Sequence, residues 1–146
     1  MIQPNGWSCL PTAFAIVLQV EVGLIFDFVQ HTGSEVLWPD LESPYCRRSF
    51  HIQEMKNYCL HIGYSCTTVT PKLGLAPRGT PNAAIFANQM FDHCTRYYNG
   101  VFTGTIPGGL PHALAYRGNK TIDPSTGEPF QGEMIFDQFH IIQQTC

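Results

Sequence analysis

Cys9 stands where Gln3-Pro-Asn-Gly-Trp-Ser gives way to the apolar run from Leu10 to Val20. A thiol at that point has the setting of a nucleophile. Attack by sulfur needs a lowered thiol pKa, a base within hydrogen-bonding reach and donors for the oxyanion that develops. If residues 9–20 form a helix, its N-terminus supplies the first of these, because the macrodipole and unpaired N–H groups favour negative charge. Gln3, six residues before Cys9, can offer its side-chain amide, and the Cys9 backbone N–H completes the expected oxyanion site.

The base is expected at His112. Gly118-Asn119 reads as a two-residue hairpin turn between strands 112–117 and 120–123. With Arg117 opposite Lys120, paired positions sum to 237, so Leu114 faces Asp123 and His112 lies two positions along on the same face. Diagonal neighbours of this kind are within reach of long side chains. Asp123 then accepts a hydrogen bond from one ring nitrogen of His112 and leaves the other for Cys9. A register slip of one residue would put the imidazole and the carboxylate on opposite faces. Each residue also has a plainer reading: Cys9 as a small buried side chain, His112 as a surface histidine at a strand end, Asp123 before Pro124 as a turn former.

Gln3-Pro-Asn-Gly-Trp-Ser-Cys9 followed by Leu-Pro-Thr-Ala-Phe-Ala, together with His112-Ala-Leu-Ala-Tyr and Ile122-Asp123-Pro124, resembles the papain-like cysteine peptidases, most nearly their compact bacteriocin-processing (C39-like) branch. The resemblance implies Cys9 as nucleophile, His112 as general base and acid, Asp123 as orienting carboxylate and Gln3 as oxyanion donor. It also implies an order of elements: a central helix from the nucleophile, two more helices, then an antiparallel sheet bearing His and Asp. Leu10 stands where that branch usually has Gly, and the interval from His112 to Asp123 is short, which leaves specificity for leader peptides open. The function expected is hydrolysis of a peptide or isopeptide bond in a protein or peptide substrate through an acyl-enzyme. Side-chain deamidation or acyl transfer on the same fold, and a non-catalytic protein that uses the cleft as a docking groove, are the alternatives.

These residues need elements to position them. Periodicity and punctuation predict helices over 9–20, 23–30, 50–62 and 82–94, with Ser8 as N-cap of the first, Pro11 in its first turn and Gly63 at the end of the third. Residues 31–49 and 72–81 read as loops. Strands are expected at 64–70, 101–106, 112–117, 120–123 and 139–143, and Gly108-Gly109 as a loop beside the cleft. Helices first and antiparallel strands afterwards is an α+β pattern, here expected as a single domain over residues 1–146.

Composition narrows the function classes. Charged residues make up 13% of the chain and apolar types 44%, which fits a buried core and excludes intrinsic disorder. Eight Lys plus Arg against 11 Asp plus Glu, with no basic cluster beyond Arg47-Arg48, offers no footprint for nucleic acid. The run from Leu10 to Leu18 is too short to span a bilayer and has no basic residues ahead of it, so neither a membrane partner nor a signal peptide is expected, and the cytoplasm is the expected compartment. The six cysteines are scattered singly and read as reduced thiols. Cys46, His51, Cys59, His61 and Cys66 lack a metal-binding spacing, so no metal or other cofactor is expected. His93-Cys94 reads as core or surface, and Trp7 and Trp38 as packing or cleft walls.

Overall fold

The computed structural model describes residues 1–35, 49–70 and 91–145. Its elements are α1 (Cys9–Leu18), α2 (Val22–Val29), α3 (Ile52–His61), β1 (Tyr64–Val69), β2 (Asn99–Ile106), β3 (Leu110–Arg117), β4 (Lys120–Ile122) and β5 (Ile135–Gln144). Residues 91–95 are also helical. Residues 36–48, most of one expected loop, and residues 71–90, with the other loop and the start of the expected helix 82–94, lie outside the described residues, as does Trp38.

The helices begin and end for local reasons. Pro11 fits the first turn of α1, where an N–H would have no intrahelical partner. The helix stops at Leu18 rather than at residue 20 because Gln19 turns left-handed, with φ 58°. Gln30 closes α2 in the same way, with φ 63°. At α3 a reciprocal pair forms the start: the His51 side chain takes the Glu54 backbone N–H, and Glu54 takes the His51 N–H. Phe50, expected inside that helix, precedes it and is buried in the core. Gly63 follows the helix with φ +87°, the conformation its position was expected to need. Ser8 occupies the N-cap position of α1, but its hydroxyl donates to the Asn5 carbonyl at 3.0 Å rather than capping the helix. No helix among the described residues is long and apolar enough to cross a membrane.

The five strands form one antiparallel sheet in the order β1-β5-β2-β3-β4. The fold is therefore α+β, although β1 and the helical residues 91–95 interleave in the chain rather than separate into a helical half and a strand half. The expected β3–β4 register holds: Arg117 pairs with Lys120, Tyr116 with Thr121 and Ala115 with Ile122. β5 starts at Ile135, earlier than expected, because its pairing with β2 shifts between Thr103 and Gly104 and breaks the period-two signal.

Both faces of the sheet are covered. On one, Phe14 and Val17 of α1 pack with Ile25, Met55, Val101, Ala113 and Ala115. On the other, Phe91, Phe102, Leu114, Phe139 and Ile141 form a second cluster, with the Phe102 and Phe139 rings 4.6 Å apart. Each of the buried Phe, Leu, Ile, Val and Met side chains contributes about 1.5–3 kcal/mol by leaving water, and the alanines less.

Gly104 sits at the register shift, and a Cβ there would strike the Ile135 carbonyl oxygen. Gly23 on α2 has nothing within 4 Å of an added Cβ. Gly104→Ala is expected to lower stability by about 1–3 kcal/mol, whereas Gly23→Ala is expected to raise it by up to about 1 kcal/mol through helix propensity. Urea unfolding of both variants measures the contrast, and equal effects would contradict it.

Candidate active site

Cys9 is the first residue of α1 and is half-buried. Its N–H and that of Leu10 have no backbone acceptor, and Thr12 donates to the Ser8 carbonyl at 3.1 Å. The Cys9 sulfur lies within hydrogen-bonding reach of the Cys9 and Leu10 N–H groups and of the N–H of Ala113 on β3. The helix terminus was expected to lower this thiol's pKa, yet the thiol lies above its ordinary value. Burial pushes it up, the Ala113, Leu10 and Cys9 N–H groups pull it down, and the negative charge of Asp123 adds to the rise. Desolvation of a sulfur anion outweighs the partial charges of a helix end.

Asn5 braces the turn that leads into Cys9. Its Oδ1 accepts from the Trp7 N–H at 2.9 Å, its Nδ2 donates to the Thr32 carbonyl at 3.0 Å, and its own carbonyl accepts from Ser8 and Gln3. Gln3 is held as well. Its backbone N–H donates to the Pro124 carbonyl at 2.7 Å, and its Nε2 donates to the Asn5 carbonyl at 2.9 Å, while Oε1 is buried without a hydrogen-bond partner. One of the two amide hydrogens is thus committed to the turn rather than to the cavity beside Cys9, whose lining does not include Gln3.

His112 Nε2 meets Asp123 Oδ1 at 2.9 Å across the β3–β4 hairpin. The same oxygen accepts from the backbone N–H and the hydroxyl of Ser125, at 2.9 and 2.7 Å. Burial alone would raise the Asp123 carboxyl, but the Ser125 hydroxyl, the Ser125 N–H and His112 outweigh it and hold it below its ordinary value. Asp123 is therefore both the turn former and the partner of His112. Its N–H donates to the Glu128 carbonyl at 2.9 Å and its carbonyl accepts from Thr126 and Gly127, which fixes the carboxylate in place.

Cys9 and His112 line one cavity of about 490 Å³, together with Thr103, Pro111, Asp137 and Gln138. No hydrogen bond joins the thiol to the imidazole, and Nδ1 of His112 has no partner among the described residues. The structure thus brings together His112 and Asp123 by direct contact and Cys9 and His112 by a shared cavity. No protein-family model, curated protein or solved structure matches the chain.

Bonded to Thr103, which lines this cavity, is a group that the sequence did not single out. His140 of β5 is buried, with Nδ1 2.8 Å from the Thr68 hydroxyl and Nε2 3.1 Å from the Thr103 hydroxyl. Burial, helped by the positive charge of Lys56, pushes its pKa down to about 4. Ser125 and Asn5 were also missed. Asp-Pro-Ser and Asn-Gly-Trp-Ser both carry the spacing of side chains that bond backbone two or three residues away, which is the signal that would have found them.

Among the described residues Cys9, Cys59, Cys66 and Cys94 are free, and Cys46 and Cys146 lie outside those residues. Cys94 is buried in the second core cluster, and burial raises its thiol. His93 packs its ring edge against Tyr97, 5.6 Å between centroids. Cys59 and Cys66 share a hydrogen bond that raises the first and lowers the second.

Two pH dependences follow from the site. The Asp123 carboxylate is favoured in the folded state, so its contribution is full above the unfolded value of about 3.9 and is lost as pH falls through the lower folded value. The stability gap between the wild type and Asp123→Asn should therefore close on acidification below that range, as followed by urea unfolding at stepped pH. His140 acts in the opposite chemical sense. It stays neutral when folded down to about 4, while the unfolded chain takes up the proton near 6.5, so stability falls as pH drops between those values. His140→Gln should flatten that slope, and an unchanged slope would contradict the assignment.

Proposed function

We propose that the chain is a papain-like thiol hydrolase, nearest in kind to the compact bacteriocin-processing branch, that cleaves a peptide or isopeptide bond in a protein substrate. The observation that carries this reading is the His112 Nε2–Asp123 Oδ1 bond at 2.9 Å, which leaves Nδ1 unbonded beside a cavity that Cys9 also lines. The order of elements supports it too, with Cys9 at the start of the helix packed on β3 and His112 on that strand.

Because burial holds the Cys9 thiol in its protonated form, the proposed reaction starts with general-base help rather than with a standing thiolate. Nδ1 of His112 takes the thiol proton as sulfur bonds to the substrate carbonyl carbon. Asp123 holds the ring and stabilises the imidazolium. The oxyanion forms beside the Cys9 N–H at the start of α1, and the Gln3 amide, bonded to the Asn5 carbonyl, would have to turn from it to serve as second donor. Collapse breaks the carbon–nitrogen bond, the imidazolium gives its proton to the departing amine, and a thioester remains on Cys9. Water, deprotonated by His112, then attacks the thioester and releases the acid and the thiol.

Cys9→Ala should reduce hydrolysis of a responsive protein substrate to background, and His112→Ala should reduce it by about 10²–10⁴-fold. Mass spectrometry of the treated substrate separates the outcomes. New chain ends support hydrolysis, whereas Gln converted to Glu in an intact chain would replace it with deamidation. Full biological effect from Cys9→Ala would favour the docking groove.

A further inference from the structure

The β2–β5 pairing runs Val101↔His140, Phe102↔Phe139 and Thr103↔Gln138, then continues Gly104↔Phe136 and Thr105↔Ile135. Asp137 is the residue passed over. On the other side of β5, pairing with β1 ends at Val69↔Phe139, so Asp137 has no strand partner on either side. A bulge of this kind re-aims a side chain, and here its neighbours are pinned in different directions. Phe136 packs its ring 4.6 Å from Phe102 in the second core cluster, and Gln138 Nε2 donates to the Thr70 hydroxyl at 3.0 Å. Asp137 is left exposed on the lining of the cavity that holds Cys9 and His112. No described Lys or Arg lines that cavity, and Asp137 has no ion-pair partner among the described residues.

We infer that Asp137 is a specificity-determining residue that favours substrates with a Lys or Arg side chain next to the bond presented to Cys9. This rests on reading Cys9 and His112 as the reacting pair. A carboxylate carried at the cleft by a strand bulge selects a cation with little ordering cost, and a substrate ammonium or guanidinium is the partner it lacks among the described residues. The net charge of -3 acts in the same direction at longer range.

Methanethiosulfonates of three charges test this on the intact chain, with modification at Cys9 followed by peptide mass mapping. The cationic trimethylammonium reagent should react faster relative to the anionic sulfonate reagent in the wild type than in Asp137→Asn, by roughly threefold to tenfold at low ionic strength, with the difference shrinking as salt is added. The rate with the neutral methyl reagent should be the same in both. Asp137→Glu should restore the wild-type ratio, and Glu133→Gln, which removes one charge from a neighbouring cavity, should leave it unchanged. An unaltered ratio in Asp137→Asn, with Cys9 still modified by the neutral reagent, overturns the role of Asp137 and leaves the Cys9 site standing. An equal loss in Glu133→Gln would show general charge rather than selection and also overturns it. No modification of Cys9 by the neutral reagent overturns the site reading, and this inference with it.

Discussion

Ala113 and Ala115 place only methyl groups between β3 and α1, both in the core cluster that holds Ala13, Phe14 and Val17. A larger side chain at either position would hold the helix away from the sheet, and the geometry of the candidate site depends on that separation. The helix carries Cys9 and the strand carries His112, so their shared cavity exists only because the two elements lie close. The same approach brings the Ala113 N–H to the Cys9 sulfur. It also buries that sulfur, and burial is what raises the thiol. Proximity and desolvation thus come from one packing event and act on the thiol in opposite directions.

Around this contact, the His112–Asp123 bond is reinforced by local turns and by backbone groups. Asp123 is locked by its own turn and by Ser125, Gln3 by the Pro124 carbonyl, and the turn before Cys9 by Asn5. The N-terminal segment and the turn after β4 are joined directly, since Gln3 donates to Pro124 and Gly127 approaches the Met1 carbonyl. His140 adds a tie within the sheet, linking Thr68 of β1 to Thr103 of β2. A neutral histidine suits that place because a charged ring would be isolated from water in the middle of the sheet.

The β5 bulge shows how a departure from regular pairing serves position. Gly104 has no side chain to obstruct the Ile135 carbonyl, so β2 and β5 can shift register there without losing the sheet. Phe136 then reaches the aromatic cluster, and Asp137 faces the cavity instead of a strand neighbour.

Several features could be read from residue order because they depend on nearest neighbours. Gly118-Asn119 set the hairpin turn, the turn set the register, and the register brought His112 to Asp123. Pro11 and the apolar run after it marked α1 as the central helix, and Gly63 marked the end of α3. Other features required distant parts of the chain to meet. Nothing local to Tyr64–Val69 selects Ile135–Gln144 as its partner, and the early start of β5 is hidden because a bulge breaks alternation. The rise of the Cys9 thiol was equally out of reach: the helix end near it is local, whereas the burial that overrides it arises only when the chain packs. The sequence by itself determined the hairpin, the start of α1 and the types of the candidate residues, since those depend on local conformation. Tertiary structure alone decided the strand order, the cavity and the direction in which the thiol's pKa is shifted, because burial is a property of the packed chain.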